Sequence, residues 1–442
     1  MSRPSTGRWT HQCVPAFLPS GLLRAQMEES RVPPAVHGKP TPRSLFSSTE
    51  FRATWLAELV SFFGDQLARV ALAILVFDRT DSAALTGLTY ALTYVPSVVG
   101  ALTLSHLADR RPRRSVLMTV DICRAIAAGA MVIPDVPLGV LCLLVSVMSF
   151  LGGPYRAAHL ALLREILSAE QYPIGMSVRQ ITMQAAQIFG FAFGGVVSSV
   201  FTPRACLAFD ATTFVASFGL YWCFVKSRPA AGTPEGRGSV AAGLTVLWAE
   251  PRRRAIFLST ALGFFYIAPE AVAAPYVSAL GLGSVWVGVL LASTGVGAVA
   301  GLWAFHRFVP AHRYADHLPL LCFTTGLPLV AVAIQGGGIY LAMVSFAVSN
   351  ALWCIQVVVS VSTLVELLPD DRRAQGMGVA SAMNLTAQGV GTGGAGLLAQ
   401  WQSPVFALSF MGAAAAVAGL WPGLLWLRST RKVAALSAPD SA

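Results

Sequence analysis

Two stretches of the chain, "GMSVRQITMQAAQIFGFAFGG" at 175–195 and "GMGVASAMNLTAQGVGTGGAG" at 376–396, align without a gap at a separation of 201 residues. The same shift pairs Glu165 with Glu366, Gln187 with Gln388, Gly190 with Gly391 and Gly195 with Gly396. Farther from the quoted stretch it pairs Gly87 with Gly288 and Gly100 with Gly301. "SFFG" (61–64) and "GFFY" (263–266) fit at 202, a difference that one inserted residue in a loop supplies. Self-similarity at a fixed shift means that one folding unit occurs twice, so the chain reads as two halves of matching topology.

Composition says what the unit is made of. Of 442 residues, 55% are hydrophobic and only 12% are Asp, Glu, Lys or Arg, and the mean hydropathy is +0.63. A soluble chain of this size carries roughly twice that charged fraction. Apolar runs long enough to span a bilayer, about 20 residues each, recur at 53–77, 84–106, 115–133, 138–163, 174–200, 204–226, 254–280, 283–306, 318–335, 339–366, 374–399 and 403–427. Proline and glycine inside such runs are tolerated because neighbouring helices satisfy the freed backbone groups. The expected fold is an all-α membrane protein of about twelve transmembrane helices in two pseudo-symmetric six-helix bundles. The expected divisions are a disordered cytoplasmic segment (1–50), a first bundle (51–226), a linker with a short amphipathic helix (227–253), a second bundle (254–428) and a tail (429–442).

The net charge of +10 reports orientation. With the N-terminus inside, the inner loops and tail carry eighteen Lys or Arg, from Arg110 to Lys432, against Arg79 and Arg204 outside. That asymmetry is the positive-inside signal; it places both termini in the cytoplasm and leaves no basic patch for nucleic acid. Three lysines against twenty-eight arginines suggest a GC-rich bacterial source, hence a bacterial cytoplasmic membrane. Seven cysteines lie scattered with no metal-ligand spacing and read as small buried apolar residues. "CVPAFLPSGLL" (13–23) is broken by prolines and lacks a cleavage signature, so no signal peptide is expected, and Met27 stands as an alternative start.

"GTGGAG" (391–396) satisfies the dinucleotide fingerprint GxGxxG. That fingerprint needs a strand before it and a helix after it, and here it lies inside an apolar helix. Small residues at helical intervals let membrane helices approach closely, so packing is the preferred reading. No Walker A sequence, HExxH or placeable Ser/His/Asp set occurs. No catalytic residues, metal or cofactor are expected, and an enzyme is excluded.

An ionisable group at bilayer depth carries an insertion penalty of about 2.5–3.5 kcal/mol, so each one needs an account. Glu58, Asp65 and Arg69 fall on one stripe of the first span. Asp65 and Arg69, at i and i+4, are spaced to pair. Asp65 reads either as an acid that binds and releases a proton or as half of a static ion pair. For Glu58, close to the cytoplasmic end, the static reading is preferred. Glu270, in "IAPEAVAAP", has no basic neighbour on its own helix and sits between Pro269 and Pro275, a bend expected to give a proton or cation site. Asp121 and Arg124 read as a structural pair, and Arg179 as interfacial. Gln180, Gln184 and Gln187 share a face, and Asn384 and Gln388 occupy the equivalent helix. These amides serve either a permissive substrate cavity or helix-to-helix bonding. Phe63, Phe265 and Tyr266, with Phe62 and Phe264, are candidates for stacking on a lipophilic guest or for core packing.

One loop joins these readings to a family. "SHLADRRPRR" (105–114) between the second and third spans resembles the major facilitator superfamily signature, roughly G-x-L-A-D-R-x-G-R-R. Asp109, Arg110, Arg113 and Arg114 are kept, while Ser105 and Pro112 replace the two glycines. "WLAELVSFFGDQLARVALAILVFDRTDSAALTG" (55–87), "YVPSVVGALTLSHLADRR" (94–111) and "GGPYRAAHLALLREIL" (152–167) are similar to the drug:proton antiporter branch that includes macrolide-efflux and enterobactin-export proteins. The antiporter motif of the fifth span reads "GFAFGG", with Phe191 where proline is usual. The resemblance implies that Asp109 contacts the start of the eleventh span near Gln375 and Gly376. It would latch the halves, with Arg113 or Arg114 orienting it and Arg110 facing anionic headgroups. Arg156 is a further candidate partner for this latch or for a cavity acid.

The function expected from all this is secondary export of a lipophilic small molecule by alternating access, driven by protons, with the chain a monomer and its partners the substrate, protons and the bilayer. Duplicated bundles with broken helices suit alternating exposure of a midplane site. A non-transporting membrane accessory or sensor protein, and an importer of a small metabolite, are the alternative readings.

Overall fold

A computed structural model gives the fold and describes residues 42–104, 110–229, 240–334, 338–369 and 372–437. The first half holds α1 (Thr49–Thr80), α2 (Ala83–Leu104), α3 (Arg113–Val132), α4 (Leu138–Ile166), α5 (Tyr172–Val200) and α6 (Pro203–Phe224). The second holds α7 (Pro251–Ala279), α8 (Val285–Phe308), α9 (His312–Ala333), α10 (Gly338–Leu367), α11 (Arg373–Trp401) and α12 (Pro404–Ser437). A shorter helix, Val240–Ala249, precedes α7 and lies against α11, with Gly243 close to Val379 and Gln375.

Local chemistry sets several of these limits. Ser48 caps α1 by accepting from the Phe51 amide, and Asp81 ends it in the left-handed region at φ 47°, a conformation Asp tolerates better than most residues. Thr202 caps α6, and Pro203 opens it where a missing N–H is harmless. α7 is interrupted at Ala261–Leu262 and Ile267, in the turns preceding Pro269. Proline there lacks a donor and clashes with the carbonyl four residues back, so the break falls N-terminal to it, while Pro275 rides inside the last piece. α9 is broken in the same way around Gly326 and Pro328.

Among the described residues, eleven helical segments are long and apolar enough to cross a membrane. α11 is long enough at 29 residues, but its glycines, Asn384 and Gln388 lower its hydropathy. The expected twelve apolar runs are therefore eleven, plus one more polar helix sheltered against α2 of the other half.

The halves meet through α2 on α11 and α5 on α8. Both crossings are built on glycine. A Cβ added to Gly87 would stand 2.8 Å from the Gly396 Cα, and one on Gly288 would stand 2.7 Å from the Gly195 Cα. These are the residues that the 201-residue shift relates, Gly87 to Gly288 and Gly195 to Gly396, now crossed over between halves. The Ala83 amide also donates to Gln400 Oε1 at 2.8 Å. The contacts named here lie toward the ends of the helices that carry Arg79 and Arg204, the face opposite the arginine-rich loops. The halves are closed together on that face.

Candidate functional site

Midway along the inter-half seam, α1, α2 and α7 bring three polar side chains together. The Tyr94 hydroxyl of α2 donates to Glu270 Oε2 of α7 at 2.8 Å, a bond from one half to the other. The Arg69 guanidinium of α1 lies over the Tyr94 ring, 5.3 Å from its centroid, within electrostatic reach of Glu270 and Asp65. Glu270 therefore does have a cation, supplied by the other half. Tyr90, one turn from Tyr94, is 2% exposed and its hydroxyl has no partner among the described residues.

Asp65 turns away from Arg69. Its partner is Arg124 Nη1 of α3 at 3.6 Å, which corrects the expected i,i+4 pair: Arg69 extends along the seam to Tyr94. Arg124 also donates to the Met148 carbonyl at 3.2 Å and sits over the Phe214 and Tyr155 rings. Asp121, expected to pair directly with Arg124, instead accepts from Ser217 Oγ at 2.7 Å. Asp210 of α6 joins this group. A Cβ at Gly64, next to Asp65, would stand 2.6 Å from Asp210 Oδ1.

Nearer the arginine-rich face, Glu58 accepts from Arg179 Nε at 2.8 and 2.7 Å and from its Nη2, and His159 Nε2 stands 2.9 Å away. Arg179 is thus the half-buried ion-pair partner of the buried Glu58, not an interfacial residue. Removing one partner of a buried pair costs about 3–5 kcal/mol, so Arg179→Ala is expected to lower the melting temperature of the detergent-solubilised protein by several degrees. Arg179→Lys, which keeps the charge and loses the planar fork, is expected to recover only part of it. An unchanged melting curve for R179A would mean that His159 alone holds Glu58. Arg156 is exposed in area yet within electrostatic reach of Glu58, Arg179, Arg69 and Arg124.

The second half contributes amides and aromatics. Gln388 Nε2 donates to Asn384 Oδ1 at 3.1 Å, and both border Gly263 at the break in α7. Tyr266 stacks on Trp353 with centroids 4.7 Å apart and donates to Asn350 Oδ1. Below them a cavity of about 100 Å³ is bordered by Ser259, Trp353, Gln356, Ser360 and Asn384. Phe265 packs against the hydrophobic core. Gln184 and Gln187 are half-buried on α5, and Gln180 is exposed.

Phe63 is elsewhere. It meets Phe193 and Phe209 edge-on in an apolar groove of about 500 Å³ between α1, α5 and α6, bordered by the exposed Phe189 and Phe193. Two residues of helix rotate a side chain by about 200°, so Phe63 points away from the face that carries Asp65 and belongs to the flank of the half.

Of the signature loop, Ser105 and Asp109 lie outside the described residues. Arg110 is exposed. Arg113 pairs with Glu165 of α4. Arg114 donates to the Tyr221 and Trp222 carbonyls at 3.0 and 2.7 Å and covers the Trp222 ring, so it caps the C-terminal end of α6, where a cation is favoured.

Sequence reading passed over Asp210, Tyr94 and His159. Asp210 is findable, as a lone acid in an apolar run. Nothing in the sequence brings His159 to Glu58 or Tyr94 to Glu270.

Two six-helix halves crossing on paired small residues, with charges held inside, define a multi-pass membrane transporter. The sequence profile of the Major Facilitator Superfamily matches residues 54–363; the chain belongs to this family of secondary transporters, and it is not an enzyme. No curated protein matches the sequence. Among solved structures, the peptide transporter POT in complex with sulfate is 14% identical, with a TM-score of 0.67 over 89% of this chain and 96% of that one. A POT family transporter in complex with 5-aminolevulinic acid is 14% identical, with a TM-score of 0.68 over 88% and 97%. The nucleoside transporter NupG is 13% identical, with a TM-score of 0.67 over 86% and 99%. At such identities the likeness is one of fold.

Proposed function

We propose that the chain exports a lipophilic small molecule across a bacterial cytoplasmic membrane by proton-coupled alternating access. The observation that carries this reading is the Tyr94–Glu270 bond beside Arg69, which ties a membrane-embedded acid to the closure of the two halves. A proton on Glu270 weakens its attraction to Arg69 and so loosens the seam; loss of the proton tightens it. Asp65, on the same stripe of α1, is the second coupling acid. The amides Asn384 and Gln388, with Tyr266 and Trp353, offer a guest stacking and hydrogen bonds without a fixed charge.

Direction rests on the likeness of residues 55–87, 94–111 and 152–167 to the drug:proton antiporter branch. Orientation rests on the arginine excess of one face, which makes that face cytoplasmic. The loop with Asp109 is the gate on that side, the segment around Val240–Ala249 joins the two bundles, and the working unit is one chain.

In proteoliposomes, a fluorescent lipophilic cation and an uncharged lipophilic dye are expected to accumulate in the lumen against their gradients when an outward-directed proton gradient, acid inside, is imposed. Substrate addition is expected to release protons from the purified chain. Accumulation that ignores the proton gradient would sink the coupling. Transport of a dipeptide or a nucleoside with no movement of either dye would favour a polar-metabolite carrier instead.

A further inference from the structure

The first half contains a set of acids that the seam does not use. Asp65, Asp121 and Asp210 surround a single cation, Arg124. Asp121 and Asp210 are 0% exposed. Asp121 Oδ1 and Asp210 Oδ2 have no hydrogen-bond partner among the described residues. Among the described residues no three His, Cys, Asp or Glu side chains could hold a metal ion. An ionised oxygen without a donor at this depth is strongly disfavoured, and a proton is the ligand that removes this cost.

A second observation gives that proton a route. Asp121 Oδ2 is bonded to Ser217 Oγ at 2.7 Å, and Ser217 neighbours the Tyr155 hydroxyl. The Tyr155 and Tyr221 hydroxyls are 3.1 Å apart, the Tyr221 hydroxyl is 3.2 Å from His159 Nδ1, and His159 Nε2 is 2.9 Å from Glu58. Each of these groups is less than 10% exposed. Glu58 lies seven residues nearer the arginine-rich face than Asp65, about 10 Å along α1. It sits beside Arg156, which is exposed.

We propose that the acids around Arg124 store a proton and that Ser217, Tyr155, Tyr221 and His159 relay it to Glu58, on a path inside the first half separate from the substrate cavity. In one passage Asp121 turns from acceptor to donor toward Ser217, and each hydroxyl gives one proton on as it receives another. His159 takes the proton on Nδ1 and releases the one on Nε2 to Glu58. One carboxyl is deprotonated, one proton reaches the arginine-rich end, and no relay group changes its charge. The charges facing this path are Arg124 of α3, Arg69 of α1, Arg156 of α4 and Arg179 of α5, which offset part of the cost of ionising an acid here and make the stored proton releasable. The relay rests on the proton-coupled reading of the protein, but its test needs no substrate.

The full chain, purified in detergent, is stepped from neutral to alkaline pH while the infrared C=O band of protonated carboxylic acid and a pH dye are followed. The wild type is expected to lose this band and release a proton. Asp210→Asn and Asp121→Asn are expected to diminish it. Tyr221→Phe, which keeps the ring and removes the hydroxyl, is expected to retain the band but to slow its decay about a hundredfold, the scale of one positioned acid–base group. Ser217→Ala is expected to do the same and stands in should Tyr221→Phe fold poorly. A band that persists at alkaline pH, or one that decays in both relay variants at the wild-type rate, overturns the proposal. A chain that releases protons in this manner yet moves no lipophilic compound overturns the export reading and leaves the relay standing.

Discussion

Replacing Gly87 and Gly288 together with valine is expected to hold the halves apart on the face that carries Arg79 and Arg204 and to abolish transport. A single added Cβ at either position already falls between 2.5 and 2.8 Å from backbone atoms of the partner half: Thr392 O and Gly396 Cα at Gly87, Phe191 O and Gly195 Cα at Gly288. Backbone has no rotamer by which to yield, so only separation of the helices relieves the overlap. Overpacking costs about 1–3 kcal/mol for each intrusion of this kind, and valine adds two further methyl groups at each crossing. Inverting a two-state population from 1:99 to 99:1 takes about 5.5 kcal/mol, which lies at the upper end of what two such intrusions supply, about 2–6 kcal/mol. The alternative state, open on this face, escapes the clash, so the protein is expected to keep its helix content and thermal stability while changing shape. Spin labels at Phe201 and Trp401, both strongly exposed at the ends of α5 and α11, are expected to report longer distances to labels on the opposite half. Gly129→Ala is the control, because nothing lies within 4 Å of its added Cβ. Distances identical to wild type in the double variant would show that these glycines do not close the gate.

That prediction shows how far the sequence reaches. The shift of 201 residues relates Gly87 to Gly288 and Gly195 to Gly396, and the structure sets each against the equivalent of the other. Among the described residues hydropathy locates eleven of the spanning helices, because lipid demands an apolar run of about 20 residues from each; the more polar α11 is the counterpart of α5 under the 201-residue shift. Partners were harder to read. Asp65 and Arg69 share a stripe, but a stripe fixes only the direction in which a side chain leaves its helix. Whether a long arginine ends on its neighbour or on Tyr94 depends on helices packed from elsewhere in the chain. Phe63 is the converse case: two residues from Asp65, it faces the other way, and rotation along the helix alone foretells it. Asp210 and Asp121 were visible as acids in apolar runs, but their convergence on Arg124 joins α1, α3 and α6 over separations that no local pattern spans. The relay through Tyr155, Tyr221 and His159 left no trace in the sequence for the same reason, since hydroxyls inside apolar helices look like ordinary core aromatics.

Glu270→Gln is expected to uncouple transport from protons while leaving a damaged but folded carrier. Glutamine keeps the size and still accepts from the Tyr94 hydroxyl, so the bond between halves survives in weaker, uncharged form; charge-assisted bonds are roughly twice as strong as neutral ones. What is lost is the titrating charge and the anion beside Arg69. A buried cation stripped of a partner is destabilising by about 3–5 kcal/mol, a cost that Asp65, also within reach of Arg69, offsets in part. The single variant is therefore expected to melt lower than wild type and to lose about tenfold or more of its gradient-driven accumulation, as for a positioned acid, while downhill exchange continues. Glu270→Gln combined with Arg69→Gln removes both charges. Coupling between residues in contact makes the pair depart from additivity by about 0.5–3 kcal/mol, and here the departure is expected to be toward recovered stability with no recovered accumulation. Tyr94→Phe separates the remaining contribution: it removes the bond between halves and spares both charges, so it is expected to leave proton dependence intact and to shift the balance between the two faces. Full gradient-driven accumulation in Glu270→Gln would move the coupling away from the seam and onto the acids around Arg124.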